Sequence, residues 1–586
     1  MSKEENIENS SVMKMRHTLS HVMAAAVREL YQDVKFGIGP AIETGFYYDM
    51  DFGTTKITEA DLKKIEKKMR EIINKKVPMT YRETSRDEAL KWAKAEKQDY
   101  KVELINELPE DETISFYDLG DLFTDLCKGP HVENTSEVGA FKLEKVAGAY
   151  WRGDEKREML TRIYGLAFET KEELEEYEKK QEEAKARDHR KLGKELDLFC
   201  FSDLVGSGLP MFTPRGTLLR DILNDFTQSY RLKHGYQKVC IPHIALVDLY
   251  KTSGHYEKFP EMLQFTSQES GDHLALKPVN CPHHTQIFAS QPRSYKEMPV
   301  KYLETTMVYR DERKGELGGL ARVRSITQDD SHVFCTEDQV GQIFGELIAS
   351  AKDLYERIDM KLKLRLSFRD DGDGYTGTPE MWEKAESAIK AMAEEHKMEY
   401  YIGIGEAAMY GPKMDFMATD ALGREWQVAT VQLDYATPDR FGLEYTAEDG
   451  SKKTPIMIHC ALLGAIERFM SVLIEHTAGW FPFWMAPEQV RILTINDEVA
   501  DFAKKVTDIL DETELNEPLE HRKIRYSLDD RNESLGKKIR EATKMKIPCV
   551  LIIGPKDVEA GEVSVRLRDS ETKVKLGELS EYLKNL

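Results

Sequence analysis

The sequence predicts an α+β protein of several domains, and three observations carry that expectation. At 586 residues the chain holds about three or four domains, each able to bury its own core. Strand-like segments dominate a long middle stretch, from Leu196 to about Pro487. Strand and helix patterns then alternate over roughly the last hundred residues, as α/β units do.

The first segment, 13–169, opens with an amphipathic helix from Met15 to Tyr31. A Gly-rich turn (Gly37-Ile38-Gly39-Pro40) and an aromatic strand (Gly45-Phe46-Tyr47-Tyr48-Asp49) follow. Residues 1–12, polar and acidic, are expected to be a flexible N-terminus. A charged run, 170–195, begins with capping-box spacing at Thr170 and Glu173 and lacks a wide apolar stripe; it reads as a solvated linker helix. In the region 196–487, Arg215–His234 reads as a long helix and Gly235–Ile241 as the strand after it, stopped at Pro242. Met457–Ala478 reads as a buried helix closing that region, with His459 near its start. In 488–586, strands are expected at Val490–Ile495, Ile524–Leu528 and Cys549–Ile553. Helices are expected at Asp497–Leu510 and Ser534–Met545.

Composition is ordinary for a globular protein, with 41% apolar and 32% charged residues. No apolar run reaches the length of a membrane span, and the N-terminus lacks a signal or transit pattern, so no membrane and a cytoplasmic address are expected. Seven scattered cysteines argue against a disulfide framework. A net charge of −21 would by itself favour a metabolic enzyme over a nucleic-acid binder, although RNA contact depends on local basic patches.

Chemistry-bearing residues cluster in a few runs. Cys281, His332 and His459 make a normal three-ligand zinc set with a fourth position open, although a lone buried His is more often a core residue. An Arg cluster lies between them. Near the N-terminus, His17 and His21 are four apart on one helix face, and Asp125, Cys127 and His131 follow later. Those groups are compatible with a tetrahedral zinc knot, with buried structural histidines, or with a hydrolytic site. The metalloprotease Glu is absent, since Thr18 follows His17. No Walker-type phosphate loop occurs.

Tyr309-Arg310-Asp311-Glu312, the loop on to Arg322, and Gly464-Ala465-Ile466-Glu467-Arg468 resemble motifs 2 and 3 of the class II aminoacyl-tRNA synthetases. Asn280-Cys281-Pro282, Thr327-Gln328-Asp329-Asp330, Tyr410-Gly411-Pro412-Lys413 and Trp426-Gln427 extend the resemblance to the threonyl-tRNA synthetase family, over nearly the whole chain. The resemblance implies a class II antiparallel sheet core at 196–487, an α+β editing domain at 13–169 and an α/β anticodon-binding domain at 488–586. It implies a ligase that activates threonine with ATP, charges tRNA(Thr) and hydrolyses seryl-tRNA, working as a homodimer. Arg215–Ile241 would be the dimer-forming motif 1.

Within that resemblance, Arg310 would hold the α-phosphate and substrate carboxylate. Glu312 would lie near the adenine, and Arg310 and Glu312, two apart on an expected strand, would face one side. Arg322 and Arg468 would hold the distal phosphates, Gln427 the ribose, and Lys413 would add a cation near the reacting phosphate. Mg2+ would accompany ATP. One Zn2+ per subunit, on Cys281, His332 and His459, would take threonine's amino and hydroxyl groups. Gln328, Asp330, Tyr410 and Gln432 would surround the substrate. In the editing segment His17 and Lys101 would assist water or the ribose hydroxyl, while His21, Asp125, Cys127 and His131 position the ester. Asn532, Asp557 and Arg566 match anticodon-reading positions, with Asp557 standing where Glu is usual, and Lys537-Lys538-Ile539-Arg540 suits phosphate contact.

Three departures stand out. His283 and Cys460 add possible competing ligands where Gly and Arg are usual, and Ala429 replaces a pocket Gly. The family's small N-terminal ubiquitin-like domain is not expected in this chain. A non-catalytic RNA-binding scaffold is the competing class of reading; intact Arg310, Arg322 and Arg468 argue against it.

Overall fold

Side-chain alternation along the middle third of the chain becomes, in a computed structural model, the floor of one eight-stranded sheet. The structure describes residues 10–259, 261–372, 374–516 and 523–586. Two compact units divide the chain, Met1–Glu182 and Glu183–Leu586. Most of the expected flexible N-terminus lies outside the described residues. Where described, it is already helical from Ser11.

In the first unit, helix α1 (Ser11–Leu30) is capped by Ser10, whose side chain accepts from the Met13 amide. Its apolar face packs with strand β1 (Gly45–Asp51) and helix α2 (Glu59–Asn74). A separate three-stranded sheet holds β2 (Met79–Thr84), β3 (Ile114–Leu119) and β4 (Phe123–Leu126). Strands β5 (Ala140–Tyr150) and β6 (Met159–Phe168) pair antiparallel and join β1. The expected linker is two helices, α3 (Lys171–Arg187) and α4 (His189–Glu195), because Asp188 leaves helical geometry to cap the second. Thr170 and Glu173 make the reciprocal capping bonds at the start of α3, and only Leu174 of that helix is buried.

In the second unit, helix α5 (Pro214–Lys233) fulfils the expected long helix, but the strand after it shrinks to β7 (Gln237–Lys238). Gly235 at φ +79 and Pro242 bound the extended segment closely. The sheet then runs β7, β8 (Val300–Tyr309), β9 (Ser325–Cys335), β14 (Ile456–Ala461), β13 (Glu425–Asp434), β12 (Lys413–Thr419), β10 (Lys361–Phe368), β11 (Tyr400–Ile404). Its six central strands are antiparallel and each edge strand is parallel to its neighbour. Residues 457–478 are therefore not one helix. The chain is strand β14 first, then helix α6 (Ile466–Thr477), and His459 sits on the strand. A continuous apolar run of strand length is ambiguous between the two forms, and sheet pairing on both sides decides it.

The last part is a mixed five-stranded sheet. Strands β15 (Val490–Thr494), β16 (Tyr526–Asp529) and β17 (Cys549–Ile553) are parallel, and β18 (Glu562–Arg566) and β19 (Glu571–Lys575) return antiparallel. Helix α7 (Leu535–Lys544) is the expected basic helix, shortened by one residue at each end. Among the described residues no helix is long and apolar enough to cross a membrane.

Candidate active site

Register builds the site. Directly opposed residues of antiparallel strands share a face. One row across the sheet reads His332, His459, Gln432, Lys413, Ser367 on five successive strands. The neighbouring row reads Ala461, Thr430, Asp415, Arg365, and Asp330 lies one residue before the Ser331–Cys460 pair on β9. Alternation on β9 sends Gln328, Asp330 and His332 toward this face. The alternate residues point away: Thr327 donates through its amide and hydroxyl to Glu467, and Asp329 accepts from the Leu462 and Leu463 amides. Asp329 also pairs with buried Arg231 from α5. One strand thus floors the site with one face and pins the turn into α6 with the other.

Two adjoining cavities lie on this floor. The first, about 480 Å³, is lined by Cys281, Asp330, His332, Tyr410, Lys413 and His459 among others. The second, about 500 Å³, takes in Glu312, Arg322, Gln427 and Arg468. Arg310, Gln328, Thr430, Gln432 and Ala461 line both. Arg310 and Glu312 lie beyond the end of β8, in a turn where the Glu312 amide donates to the Arg310 carbonyl, so the expected strand does not reach them. Arg310 is nonetheless aimed at the junction, over the Phe259 ring, with its Nε buried and unpartnered. Among the described residues no carboxylate lies in ion-pair reach of Arg310 or Arg468. Burial holds both guanidiniums below their usual value. Arg322, by contrast, is half-exposed and paired with Glu312 and Glu316. Ala429 lines the second cavity, not the first, but it pairs with buried Phe416 and its methyl belongs to the hydrophobic core, so it does not narrow the threonine side as the sequence suggested.

The ligating atoms of Cys281, His332 and His459 lie within 4.8 Å of one another, and all three residues are buried. Each imidazole has an outer partner. His459 Nε2 is 2.8 Å from Asp434 Oδ2, whose other oxygen accepts the Ala436 and Thr437 amides. His332 Nδ1 is 2.8 Å from His284 Nδ1, and His284 Nε2 faces Glu304 Oε2 at 3.6 Å. Those contacts leave Nδ1 of His459 and Nε2 of His332 for a metal. Burial, with Asp330 and Asp434 close by, pushes the Cys281 thiol well up. A thiol, two imidazoles, buried Asp434 and half-buried Asp330 suit a divalent metal that favours sulfur and nitrogen, so the donor set fits zinc. His283 and Cys460 are outside the group of three. His283 is carried off by the first turn of helix Cys281–Ala289, and Cys460 alternates to the opposite face of β14 from His459, beside Arg231.

Around this centre, Tyr410 stacks on His459 at 4.6 Å and donates to Gln432 Oε1, and Asn280 Nδ2 donates to Asp330 Oδ2 at 2.9 Å. Sequence reasoning missed His255, Asp415 and Asp434. Buried His255 lies 3.9 Å from the Cys281 thiol, and burial with His459 lowers its pKa to about 4. Asp415 and Asp434 stand two residues beyond Lys413 and Gln432, so strand alternation alone marks them for the same face.

In the first unit, His17, His21, Cys127 and His131 also place one ligating atom each within 4.8 Å of the others. Cys127 Sγ is 3.4 Å from His17 Nε2 and 3.3 Å from His131 Nε2. Burial, with Asp125 near, pushes the thiol up to about 12. Burial also lowers all three imidazoles. Lys101 is buried and held 2.5 Å from Asp125, which also accepts from Tyr48. Lys101 is therefore committed to a carboxylate, and His17 is the more exposed of the three imidazoles.

In the C-terminal part, Asn532 and Arg566 are exposed. Asp557 is not an open arm: it is buried, caps a helix through the Gly554 amide, and accepts from Ser564 and Lys573. Lys538 of the basic helix also turns inward, donating to the Thr494 and Asp529 carbonyls.

A sheet with an antiparallel centre, Arg310 at the junction of two cavities and Arg468 in the second of them is the arrangement of a class II aminoacyl-tRNA synthetase core, and the family model agrees. Residues 263–477 match "tRNA synthetase class II core domain (G, H, P, S and T)". Residues 489–586 match "Anticodon binding domain", and 114–164 match "Threonyl and Alanyl tRNA synthetase second additional domain". The threonine–tRNA ligase of Gloeobacter violaceus is 49% identical over 569 residues, 95% of this chain and 88% of that one. That of Bacteroides fragilis is 48% identical over 574 residues, 97% and 87% respectively. A solved structure described as the RNA binding domain of threonyl-tRNA synthetase from Cryptosporidium parvum Iowa II superposes with TM-score 0.63 at 34% identity, covering 68% of this chain and 98% of that one. The chain belongs to the threonine–tRNA ligase family.

Proposed function

We propose that the two cavities bind threonine and ATP on either side of Arg310, and that the chain charges tRNA(Thr) and clears serine from it. The observation that carries the reading is Arg310 itself, a cation without a carboxylate partner where the cavities meet. Threonine's carboxylate attacks the α-phosphorus of ATP, and the bond to the leaving pyrophosphate breaks. Negative charge gathers at that phosphorus, where a preorganised guanidinium stabilises it most. Lys413 adds a second cation, Arg468 and Arg322 take the distal phosphates with Mg2+, and Glu312 and Gln427 take adenine and ribose. Arg322 must exchange Glu312 and Glu316 for phosphate oxygens.

Cys281, His332 and His459 would hold zinc, which when bound supplies Lewis-acid contacts to threonine's amino and hydroxyl groups. Asp330 and Tyr410 face the amino group, and Gln328 and Gln432 complete the wall. Valine lacks the hydroxyl, and a site built around that group rejects such an analogue by about 10⁴ or more. Serine keeps it and lacks one methyl, which gives only ~1–3 kcal/mol of discrimination. A hydrolytic site in 13–169 answers that. Water attacks the ester carbonyl of seryl-tRNA, releasing serine and tRNA. His17 orients the water, and His21, Cys127 and His131, with the Lys101–Asp125 pair, hold the ester. A thiol at about 12 stays protonated, which favours water over Cys127 as nucleophile.

Asn532 and Arg566 face the anticodon, with Asp557 bracing β18 and β19 behind them. Linker 170–195 joins the hydrolytic domain to the catalytic domain at 196–487, and 488–586 is the anticodon-binding domain. The working form is a cytoplasmic homodimer; Leu218 and Leu232 on α5, and Leu204 and Val205 before it, expose apolar surface for that contact.

The test is charging of a tRNA(Thr) transcript with threonine, followed by release of serine from pre-charged seryl-tRNA(Thr). The wild type should do both, and His17→Ala should keep charging while losing most serine release. Absence of charging would contradict the reading of the two cavities. Unchanged serine release in the variant would contradict that of the first unit.

A further inference from the structure

On the same face of the sheet as the two cavities, but covered by its neighbours, lies a carboxylate that lines neither. Asp415 is fully buried at the centre of β12, and five donors converge on it. Its Oδ1 accepts from Gln427 Nε2 and Thr430 Oγ1, each at 2.8 Å. Its Oδ2 accepts from Ser367 Oγ at 2.7 Å and Arg365 Nη2 at 3.0 Å, and Lys413 Nζ lies 3.3 Å away. Arg365 Nη2 also donates to Gln427 Oε1 at 2.9 Å, so the Gln427 amide is gripped at both ends. A β-bulge on β13, where Val428 is the extra residue opposite the step from Phe416 to Met417 of β12, brings Gln427 onto the face that Thr430 and Gln432 occupy. Without the bulge, alternation would turn Gln427 away from Asp415.

We propose that Asp415 is the positioning residue of the nucleotide side: its charge fixes the Gln427 amide and holds Lys413 ready for the reacting phosphate. The inference rests on the assignment of Gln427 and Lys413 to ATP. Only a carboxylate satisfies this constellation, because both oxygens must accept. An asparagine has nearly the same shape but puts an NH₂ against donors whichever way its amide is turned, toward Gln427 and Thr430 or toward Ser367, Arg365 and Lys413. Arg365 Nη1 also lies 3.4 Å from Glu406, four residues before Tyr410, so the network is tied to the loop that carries an amino-acid-side residue.

Asp415→Asn in the full chain is the test, read as threonine-dependent ATP–pyrophosphate exchange. Loss of one charge-assisted hydrogen bond sets the expected fall in kcat/KM for ATP at about tenfold to a hundredfold, with KM for threonine within about twofold. Ser367→Ala is the control for damage that is merely structural. Ser367 donates to Asp415 but lines neither cavity, so its variant should lose stability while KM for ATP stays within about twofold. If Asp415→Asn does not fold, Arg365→Gln at the rim of the network should give a smaller, ATP-specific loss. An equal loss for ATP and threonine, the same loss in Ser367→Ala, or no loss for ATP in Arg365→Gln would each overturn the inference. Failure of the wild type to bind ATP at all would instead overturn the assignment on which it rests.

Discussion

Three imidazoles in the first unit, His17, His21 and His131, are neutral because burial disfavours their charged form, and His21 and His131 are further depressed by their neighbours. Asp125 opposes the effect at His17, while Lys101 reinforces it at His21. Each folded pKa lies below the ordinary value of about 6.5. Below that pH the unfolded chain binds more protons than the folded one, so their contribution to stability is complete above it and is lost as pH falls. The protection factors of the Ser11–Leu30 amides, taken relative to the intrinsic exchange rate at each pH, should therefore fall as pH is lowered from about 7.5 to about 5.5. Protection independent of pH over that window would contradict neutral burial. The types and spacing of these residues were legible in the sequence. The commitment of Lys101 to Asp125, and of Asp557 to Ser564 and Lys573, was not, since these contacts join segments that only the fold brings together.

Strand β12 shows what an element contributes. Tyr410 and Lys413 reach the site because Gly411 lets the chain pass against β13: a Cβ there would lie 1.8 Å from the Leu433 carbonyl oxygen. Gly411→Ala must push the two strands apart, shifting Lys413 from Gln432 and Tyr410 from its stack on His459. The expected result is loss of most threonine-dependent exchange together with a lower melting temperature. Exchange within about twofold of wild type would mean that the strand spacing does not set the site. The helix α5, the capping box at Thr170 and the strand Cys549–Ile553 were readable from periodicity and end signals. Strand β14 was misread as helix because its residues are apolar on both faces, which erases the period-2 signal. The turn after β8 was misread as strand because nothing in Tyr309–Glu312 marks where pairing stops.

At the scale of the whole molecule, a net charge of −21 conceals a site whose key groups are cations. Average charge governs the field far from the surface, whereas Arg310 and Arg468 line cavities, where a low local dielectric strengthens the field of a cation. Composition therefore pointed away from a nucleic-acid enzyme and the motifs pointed toward one. Separation of the chain into two units gives a physical basis for treating activation and hydrolysis as distinct chemistries. The central claim is that Arg310 divides an ATP cavity from a zinc-dependent threonine cavity. Amino-acid-dependent ATP–pyrophosphate exchange, run with threonine, serine and valine before and after zinc chelation, tests it most directly. The account predicts strong exchange with threonine, weaker exchange with serine, none with valine, and loss of all of it on chelation with recovery when zinc is restored. Exchange that persists after chelation, or that accepts valine as readily as threonine, would contradict the account.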